Sequence, residues 1–376
     1  MTSSSSSPSP SPSIAEAASP SVSRWMRAPQ ARTALVLGGA ALVAILAALA
    51  LIASVGVPIL DALAAFADGA WGSAYAIGAS INRSLAFALV GIGFVLADRA
   101  RLTNVGGEGQ IAIGGIAATA MSLYGGAGHL PLGMAFVMPM LVAALAGAAW
   151  GAVPGVLKAK AGTNEVISTL LLSFIAVWLL YWCVQSEALL RQPMSNASTL
   201  PESLEIPDVT KLPLLASASS AGLHIGLPLT IVLGIAVAIV LRRTRFGIHL
   251  RAVGLNPVAA RRAGMPITGT IVGALALAGA FGGLAGALML QGDQYSLKAG
   301  FSSGYGFDGL VVGLLARGSV TGVFAAALLF GFLRSGGINM EMVAQVPSAI
   351  VLIVQGIVIV ALAGGSWWLD KQGASR

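Results

Sequence analysis

Charged residues are scarce in this sequence. Only 9% of its 376 residues are Asp, Glu, Lys or Arg, whereas 56% are hydrophobic, and its mean hydropathy is +0.86. A soluble domain averages about 25% charged residues, and a charge at the bilayer centre costs roughly 2.5–3.5 kcal/mol. The composition therefore excludes an ordinary soluble domain. It predicts an all-α, polytopic membrane helix bundle of about 8–10 transmembrane helices, some of them discontinuous, in contact with membrane lipid.

The residues and motifs of most enzyme classes are also missing. Cys183 is the single cysteine, so it can build neither an intrachain disulfide nor a thiolate metal site. The three histidines lie far apart, and no HExxH motif is present. The sequence contains no GxxxxGKS or GxxxxGKT stretch for ATP and no GxSxG nucleophile motif. We therefore expect no enzyme activity, no catalytic residue, no metal site and no cofactor in this chain.

Positive charge indicates the orientation in the membrane. The net charge of +7 lies mainly at the ends of apolar runs: before the first, after the second, fourth and sixth, and at the C-terminus. This alternation favours a topological signal over nucleic-acid binding, so we expect no nucleic-acid partner. It predicts a multi-pass protein of the bacterial cytoplasmic (inner) membrane whose N-terminus is cytoplasmic.

The chain divides into a membrane domain and two tails. Residues 1–30 are rich in Ser and Pro, which predicts a disordered cytoplasmic tail. Residues 31–366 are expected to form the transmembrane domain, followed by a C-terminal tail at 367–376. Within this domain, the polar, proline-containing segment 185–225 is predicted to be an external loop, and the basic segment 242–266 a cytoplasmic loop. The predicted spans are 33–57, 80–96, 104–124, 132–153 (closed by Pro154), 166–184, 227–241, 267–290, an interrupted run at 307–333, and 346–362.

A glycine-rich segment with one carboxylate opens the third span. Glycines weaken a helix by about 1 kcal/mol each relative to alanine, and Glu108 lies among them. A carboxylate beside flexible backbone at membrane depth often lines a cavity or meets a partner. Alternatively, the segment is a cytoplasmic turn in which Asn104 caps the helix and Glu108 lies in water. The sequence leaves the two interpretations equal.

Residues 162–169 form a well-made helix start. Thr163 or Asn164 can cap the helix, and Glu165 in its first turn suits the helix dipole. Ser168 and Thr169 are the better candidates for a translocation pathway, although hydroxyl groups in membrane helices commonly bond to their own backbone.

The basic loop contains a short amphipathic helix. Asn256 is its predicted cap, Pro257 occupies its first position, and Gly264 ends it. Such a helix can dock another protein or lie on anionic lipid headgroups. The physical properties of the sequence do not separate these alternatives.

The last motif has ionisable ends. Asp308 and Arg317 bracket a short apolar stretch of about two and a half turns. This pattern is typical of the discontinuous helices of transporters and is also compatible with a tight helical hairpin packed through small residues.

Together these four segments resemble the permease subunits of bacterial ATP-binding-cassette (ABC) importers. The resemblance is to the branched-chain amino acid and simple-sugar group, nearest to its nucleoside and simple-sugar branch. It covers roughly residues 80–362, with the motifs in the family's order. They are TNVGGEGQ (103–110), NEVIST (164–169), RAVGLNPVAARRAG (251–264) and GFDGLVVGLLAR (306–317).

The resemblance implies partners and assigns one site. It implies two cytoplasmic ABC ATPase subunits, which use ATP and Mg, a second permease (a paralogue or a second copy) and an extracellular substrate-binding lipoprotein. Nucleosides are the expected substrates, followed by simple sugars and then branched-chain amino acids. An ion-coupled secondary transporter is the alternative from another class. The implied ATPase-coupling residues are Asn256, Pro257, Ala259, Ala260, Arg261 and Gly264.

The family motifs do not fix the substrate contacts. The polar residues within and beside the motifs are the candidates for the translocation pathway: Asn104, Glu108, Gln110, Ser168, Thr169 and Asp308.

Overall fold

The structure is a computed structural model of the chain. It describes residues 29–54, 56–131, 133–193, 201–215, 221–347, 350, 352–354, 356, 357, 360 and 364. The predicted tails therefore lie outside the described residues, except for residues 29 and 30, and the last predicted span is described only in part.

The chain forms two units. One comprises Met1–Ala48 and Gly356–Arg376, and its described part contains most of helix α1 (Pro29–Ser54). The other, Leu49–Gln355, holds the remaining helices and a π-helical turn, Leu290–Gln294. Its helices are α2 (Ile59–Trp71), α3 (Ala74–Asp98), α4 (Gly107–Leu123), α5 (Met134–Ala161), α6 (Glu165–Gln185), α7 (Gly226–Arg243), α8 (Arg245–Leu255), α9 (Pro257–Arg262), α10 (Ile267–Met289), α11 (Tyr305–Leu315) and α12 (Val320–Ala344).

The predicted all-α membrane bundle is confirmed. Six described helices are long and apolar enough to cross a membrane, namely α3, α5, α6, α7, α10 with its π-helical turn, and α12. The interruption predicted near Arg317 is also confirmed. Arg317 and Gly318 have positive φ angles of 49° and 76° and separate the short α11 from α12.

Three details differ from the predictions. Helix α2 was not predicted, because it is short and carries two aspartates. Helix α4 begins at Gly107 and not near Asn104. Pro154 does not close the fourth span, since α5 continues through it to Ala161. Proline is tolerated inside membrane helices where neighbouring helices satisfy the freed backbone groups, and here α10 packs closely along α5 on this side.

Glycines hold α5 and α10 in close antiparallel contact. A Cβ atom placed on Gly279 of α10 would lie 2.2 Å from the carbonyl oxygen of Gly147 on α5. A Cβ on Gly283 would lie 2.2 Å from the carbonyl oxygen of Ala143. Small residues allow such backbone approach in membrane bundles. The two helices are therefore held together by direct backbone contact over several turns.

The two ends of the Leu49–Gln355 unit differ in character. At one end, here called the basic end, α8 lies against Arg99, which follows α3: a Cβ on Gly254 would lie 2.5 Å from the Arg99 carbonyl oxygen. At the other end, the loop end, residues 201–215 pack against the chain after α10, where the Leu212 N–H donates to the Gln291 carbonyl. The positions of the site residues are given relative to these two ends.

Candidate translocation and coupling sites

Helices α4 and α11 both begin inside the bundle. Gly107, at the start of α4, contacts Val90, which lies eight residues from the end of α3. At 1.5 Å per residue, this places the start of α4 about 12 Å from the basic end. Gly306, in the first turn of α11, packs against the backbone of Gly107 and Glu108. The amino ends of two discontinuous helices therefore meet within the membrane-spanning bundle, and discontinuous helices are typical of transporters.

Glu108 joins these two helix ends. Its Oε1 atom accepts the N–H of Gly304 at 2.9 Å, and its Oε2 atom accepts the N–H of Gly306 at 2.8 Å. The residue is only 7% exposed. A carboxylate favours the positive end of a helix dipole, and this one lies in the first turn of α4 while binding the first turn of α11. Glu108 is therefore buried and paired, which rules out its exposure to water in a cytoplasmic turn.

Asn104, Gln110 and Thr169 form a second buried polar group beside Glu108. The Asn104 Nδ2 atom donates to Gln110 Oε1 at 3.0 Å, and Asn104 Oδ1 accepts the N–H of Gly106 at 2.9 Å. Thr169 Oγ1 accepts the N–H of Val105 at 3.2 Å. Asn104 does not cap α4, because Gly106 occupies the cap position. These bonds fix the extended segment that leads from the basic end to the start of α4.

The other two pathway candidates lie at the edge of this group. Ser168 donates to the Glu165 carbonyl at 3.2 Å and is half-buried, and Asp308 is a half-buried residue in the first turn of α11. Of the two predicted caps of α6, Thr163 and Asn164, the structure shows Asn164. Glu165 forms an ion pair with Lys158 at 2.9 Å. The assignment of all six candidates to a pathway remains a prediction.

The short helix predicted in the basic loop is present as α9. Asn256 Oδ1 accepts the N–H groups of Val258 and Ala259, both at 3.0 Å, and Pro257 is at the first position. Gly264 follows the helix with a φ angle of +76°. Ala260 is 4% exposed and packs against Val253 of α8 and Ile267 of α10.

The remaining coupling candidates face outward. Asn256, Pro257, Ala259, Arg261 and Gly264 are exposed, as is Arg262. The helix thus rests on the bundle through one alanine and presents its basic face to its surroundings.

A chain of contacts runs from α9 to α11. Helix α9 packs on α8, and Gly254 of α8 packs on the backbone of Arg99 and Ala100. The Arg99 guanidinium donates to the carbonyl of Gly318, just beyond α11. The opposite end of α11 is the one held by Glu108. The coupling candidates and the Glu108 group are therefore separate sites joined by α8, Arg99 and α11.

A polar cavity in the loop-end half was missed by the sequence reasoning. Arg83, the one basic residue within α3, was its visible signal. The cavity has a volume of about 10 Å³, room for about one water molecule. It is lined by Asn82, Arg83, Ala86, His224, Leu288, Met289, Asp293 and Tyr305.

His224 closes one side of this cavity and is neutral near pH 7. It is 3% exposed, and burial lowers the pKa of its imidazole to about 4. Its Nδ1 atom can therefore accept the N–H of Gly226, 3.1 Å away. This bond fixes the ring at the start of α7, where it also packs on Gly292 of the π-helical turn.

Comparisons with known proteins place the chain in a family. Residues 76–363 match the model of the branched-chain amino acid transport system / permease component family. The chain is 32% identical to the guanosine ABC transporter permease protein NupP of Bacillus subtilis over 82% of this chain and 86% of that protein. It is 33% identical to the glucose ABC transporter permease protein TsgB13 of Haloferax volcanii over 88% and 84%. It is 30% identical to the nucleoside ABC transporter permease protein NupB of Lactococcus lactis over 76% and 80%.

No solved structure matches the chain. The family model nevertheless covers most of the sequence, including both halves of the Glu108 contact and the whole of α9. Members of this family are transport subunits, and the ATPase and the substrate-binding component of their systems are separate partners. The chain belongs to the family of branched-chain amino acid transport system permease components, and it is the membrane-spanning permease subunit of an ABC importer.

Proposed function

We propose that this permease imports nucleosides, with simple sugars as the second and branched-chain amino acids as the third candidate class. The observation that carries the proposal is the likeness, over three quarters or more of the chain, to two permeases named for guanosine or nucleosides. The glucose permease among the relatives supports the second class. Ion-coupled transport is the alternative mechanism.

The basic end is proposed to face the cytoplasm. Arg99, Arg101, Arg242 and Arg243 lie at this end, together with the basic residues of α8 and α9. Positive charge marks cytoplasmic segments in membrane proteins. This orientation puts the loop end outside, in the inner membrane of a bacterial cell. The N-terminus is proposed to be cytoplasmic because basic residues precede the first apolar run.

Helix α9 is the proposed contact for the ATPase subunits. Its exposed residues Asn256, Pro257, Ala259 and Arg261 provide the docking face, while buried Ala260 and the turn at Gly264 hold the helix on the bundle. ATP-driven closure of the ATPases moves α9 and α8. The movement then reaches α11 through Arg99.

A second permease is proposed to complete the pathway. The polar cavity holds about 10 Å³, whereas small-molecule pockets have volumes of about 300–1,000 Å³. This cavity alone does not accommodate a nucleoside. A pathway between two permeases, each contributing the Glu108 region and the loop-end cavity, provides the missing space. A paralogue or a second copy of this chain fits this role.

The loop end is the proposed docking surface of an extracellular substrate-binding lipoprotein. Lys211 forms ion pairs with Asp208 and Glu205 here, and these carboxylates raise the pKa of its ammonium group. Two isolated β-bridges join residues 191, 202, 203 and 298 into one surface. A rigid, charged surface outside the membrane suits a soluble partner.

Uptake by cells tests the function. Cells with and without the gene are given labelled guanosine, cytidine, ribose, glucose and leucine. Each test is repeated with the nucleotide site of the partner ATPase disabled. We expect nucleoside uptake that requires both this gene and an intact ATPase. Uptake that requires the gene but survives ATPase inactivation would instead establish the ion-coupled mechanism.

Gly264→Val is expected to uncouple ATP hydrolysis from uptake. No atom lies within 4 Å of a Cβ added to Gly264, so the side chain fits, but φ is +76°. A residue other than glycine in this conformation costs about 1–2 kcal/mol. A free-energy difference of about 1.4 kcal/mol changes an equilibrium constant tenfold. Uptake per ATP hydrolysed should fall about tenfold, and less in Gly264→Asn, because asparagine tolerates this region.

The matched control is Gly269→Val. Gly269 is also exposed and uncrowded, since an added Cβ meets only Pro266 at 3.9 Å, but its φ is not positive. Uptake and ATP hydrolysis are measured in proteoliposomes of the whole complex. Equal coupling in Gly264→Val and Gly269→Val would refute the role given to this turn.

A further inference from the structure

Arg83 is a half-buried charged residue on α3. It lies nine residues into α3, about 14 Å from the start of that helix. Its Nη1 atom donates to Ser335 Oγ at 2.9 Å, and none of the ion pairs among the described residues involves it. A charge inside a membrane bundle is costly and marks functional sites. Arg83 also borders the polar cavity.

Two acceptors border the same cavity. Asn82 Nδ2 donates to the Gly222 carbonyl at 2.8 Å, which fixes the amide. Its Oδ1 atom is buried without a hydrogen-bond partner in the part of the chain that the structure describes. Asp293, in the π-helical turn, is exposed and adds a carboxylate. The cavity therefore combines a planar donor with two acceptors.

We propose that Arg83, Asn82 and Asp293 recognise the base of a 6-oxopurine nucleoside such as guanosine or inosine. The proposal rests on the proposed nucleoside function and names the substrate within that class. An arginine pairs in a bidentate manner with the O6 and N7 acceptors of guanine. The adjacent N1–H donor of the same base then requires an acceptor, which Asp293 or the free Asn82 Oδ1 provides.

The cavity favours hydrogen bonding to the edge of a base over stacking. Phe87 stacks on one face of Tyr305 at 4.6 Å between ring centroids, and the Arg334 guanidinium lies 5.2 Å from the same ring. Tyr305 therefore has no open face for a base or a sugar. The polar groups must therefore distinguish one substrate from another. Their donor and acceptor directions suit the planar edge of a base better than the hydroxyl groups of a sugar.

A base needs more room than the 10 Å³ of this cavity. The segment that carries His224 covers it, held on α3 by the hydrogen bond from Asn82 to Gly222. We place recognition at the step of the transport cycle in which this segment separates from α3.

Two substitutions test the recognition directly. Arg83→Lys keeps the charge but loses the planar guanidinium group and its paired N–H donors. Asp293→Asn keeps the size at an exposed position and adds an N–H donor. Asp61→Asn is the matched control, because Asp61 is an exposed aspartate in the first turn of α2, outside the cavity. Surface amounts of each variant are measured by immunoblot, and ATPase binding by co-purification.

The readout is ATP-dependent uptake of labelled guanosine, inosine, adenosine, cytidine and glucose as a function of concentration. Arg83→Lys should raise the half-saturating concentration of guanosine and inosine about tenfold, and that of cytidine much less. Asp293→Asn should weaken the binding of both 6-oxopurines about tenfold and improve that of adenosine, since adenine N1 is an acceptor and the asparagine amide supplies an N–H donor. Asp61→Asn should match the wild type.

Failure of this inference differs from failure of the proposed function. If the wild type imports nucleosides and the two variants change all substrates by one common factor, or none, the recognition is refuted and the nucleoside function stands. If the wild type imports glucose and no nucleoside, the proposed function fails, and the recognition fails with it.

Discussion

Gly279→Ala is expected to destabilise the protein severely. The added Cβ would lie 2.2 Å from the carbonyl oxygen of Gly147 on α5 and 3.0 Å from the Cα atom of Gly151. All the atoms concerned belong to helix backbones, so no side chain can rotate away. Helices α5 and α10 must separate by about 1 Å, and overpacking of this kind costs about 1–3 kcal/mol. The separation also weakens the neighbouring contact between Gly283 and Ala143.

The control lies on the same helix. Gly273 of α10 has a similar backbone, but a Cβ there would meet only the Phe246 ring at 3.5 Å, an ordinary contact. Because alanine favours a helix by about 1 kcal/mol over glycine, Gly273→Ala should keep or raise the thermal midpoint. Both variants are purified in detergent and followed by size-exclusion chromatography after heating. Equal midpoints for Gly279→Ala and Gly273→Ala would contradict the close packing.

Much of the fold follows from local sequence patterns. The cap at Asn256, the proline after it and the glycine at 264 act within ten residues, so they predict α9 closely. The same holds for Asn164 at the start of α6. The break near Arg317 is predicted because charge and glycine occur together in an apolar run. In each case the physical cause and its effect lie within a turn or two of the chain.

The unpredicted features depend on contacts between distant segments. Glu108 binds N–H groups 196 and 198 residues further along the chain, and no local pattern reports such a pairing. The depth at which α4 begins also follows from its packing on α3 and α11. Helix α2 was missed for another reason: its 13 residues are fewer than the roughly 20 that a membrane-spanning helix needs.

The candidate site was found only in part. The four family motifs led to the Glu108 group and to α9. In the structure, however, the hydrogen bonds of Asn104 and Glu108 are all made to other residues of the chain. The loop-end cavity lies outside those motifs. Its residues come from α3, the segment before α7, the end of α10 with the π-helical turn, and the start of α11, and only the folded chain brings them together. Arg83 was the available clue, since a lone arginine inside an apolar span needs a reason.

Glu108→Ala is expected to lower both stability and uptake. The substitution leaves the N–H groups of Gly304 and Gly306 without their carboxylate acceptor. A hydrogen bond to a charged group contributes about 1.5–3 kcal/mol, so the loss of two such bonds should lower the free energy of unfolding by about 3 kcal/mol or more. Glu108→Gln keeps one acceptor oxygen and should lose about half as much. Thermal midpoints of the purified complex in detergent provide the measurement.

The matched control is Glu341→Ala on α12, where the glutamate is exposed. Its midpoint should equal that of the wild type. A midpoint for Glu108→Ala that also equals the wild-type value would refute the joining of α4 and α11 by this carboxylate.

The same variants separate a structural role from a role in the pathway. If Glu108 acts by holding the amino end of α11, Glu108→Gln should lower the maximal rate of uptake in proportion to the lost stability. The relative preference among nucleosides should stay unchanged, because the residue touches no substrate. If Glu108 lines the pathway, as its motif alone suggested, preference among substrates should change while the thermal midpoint stays near that of the wild type. The buried geometry, with both carboxylate oxygens bound to backbone N–H groups, favours the first result. Movement that reaches α11 from α9 through Arg99 would then act on a helix whose amino end is held in place. Glu108 would be the pivot of that movement.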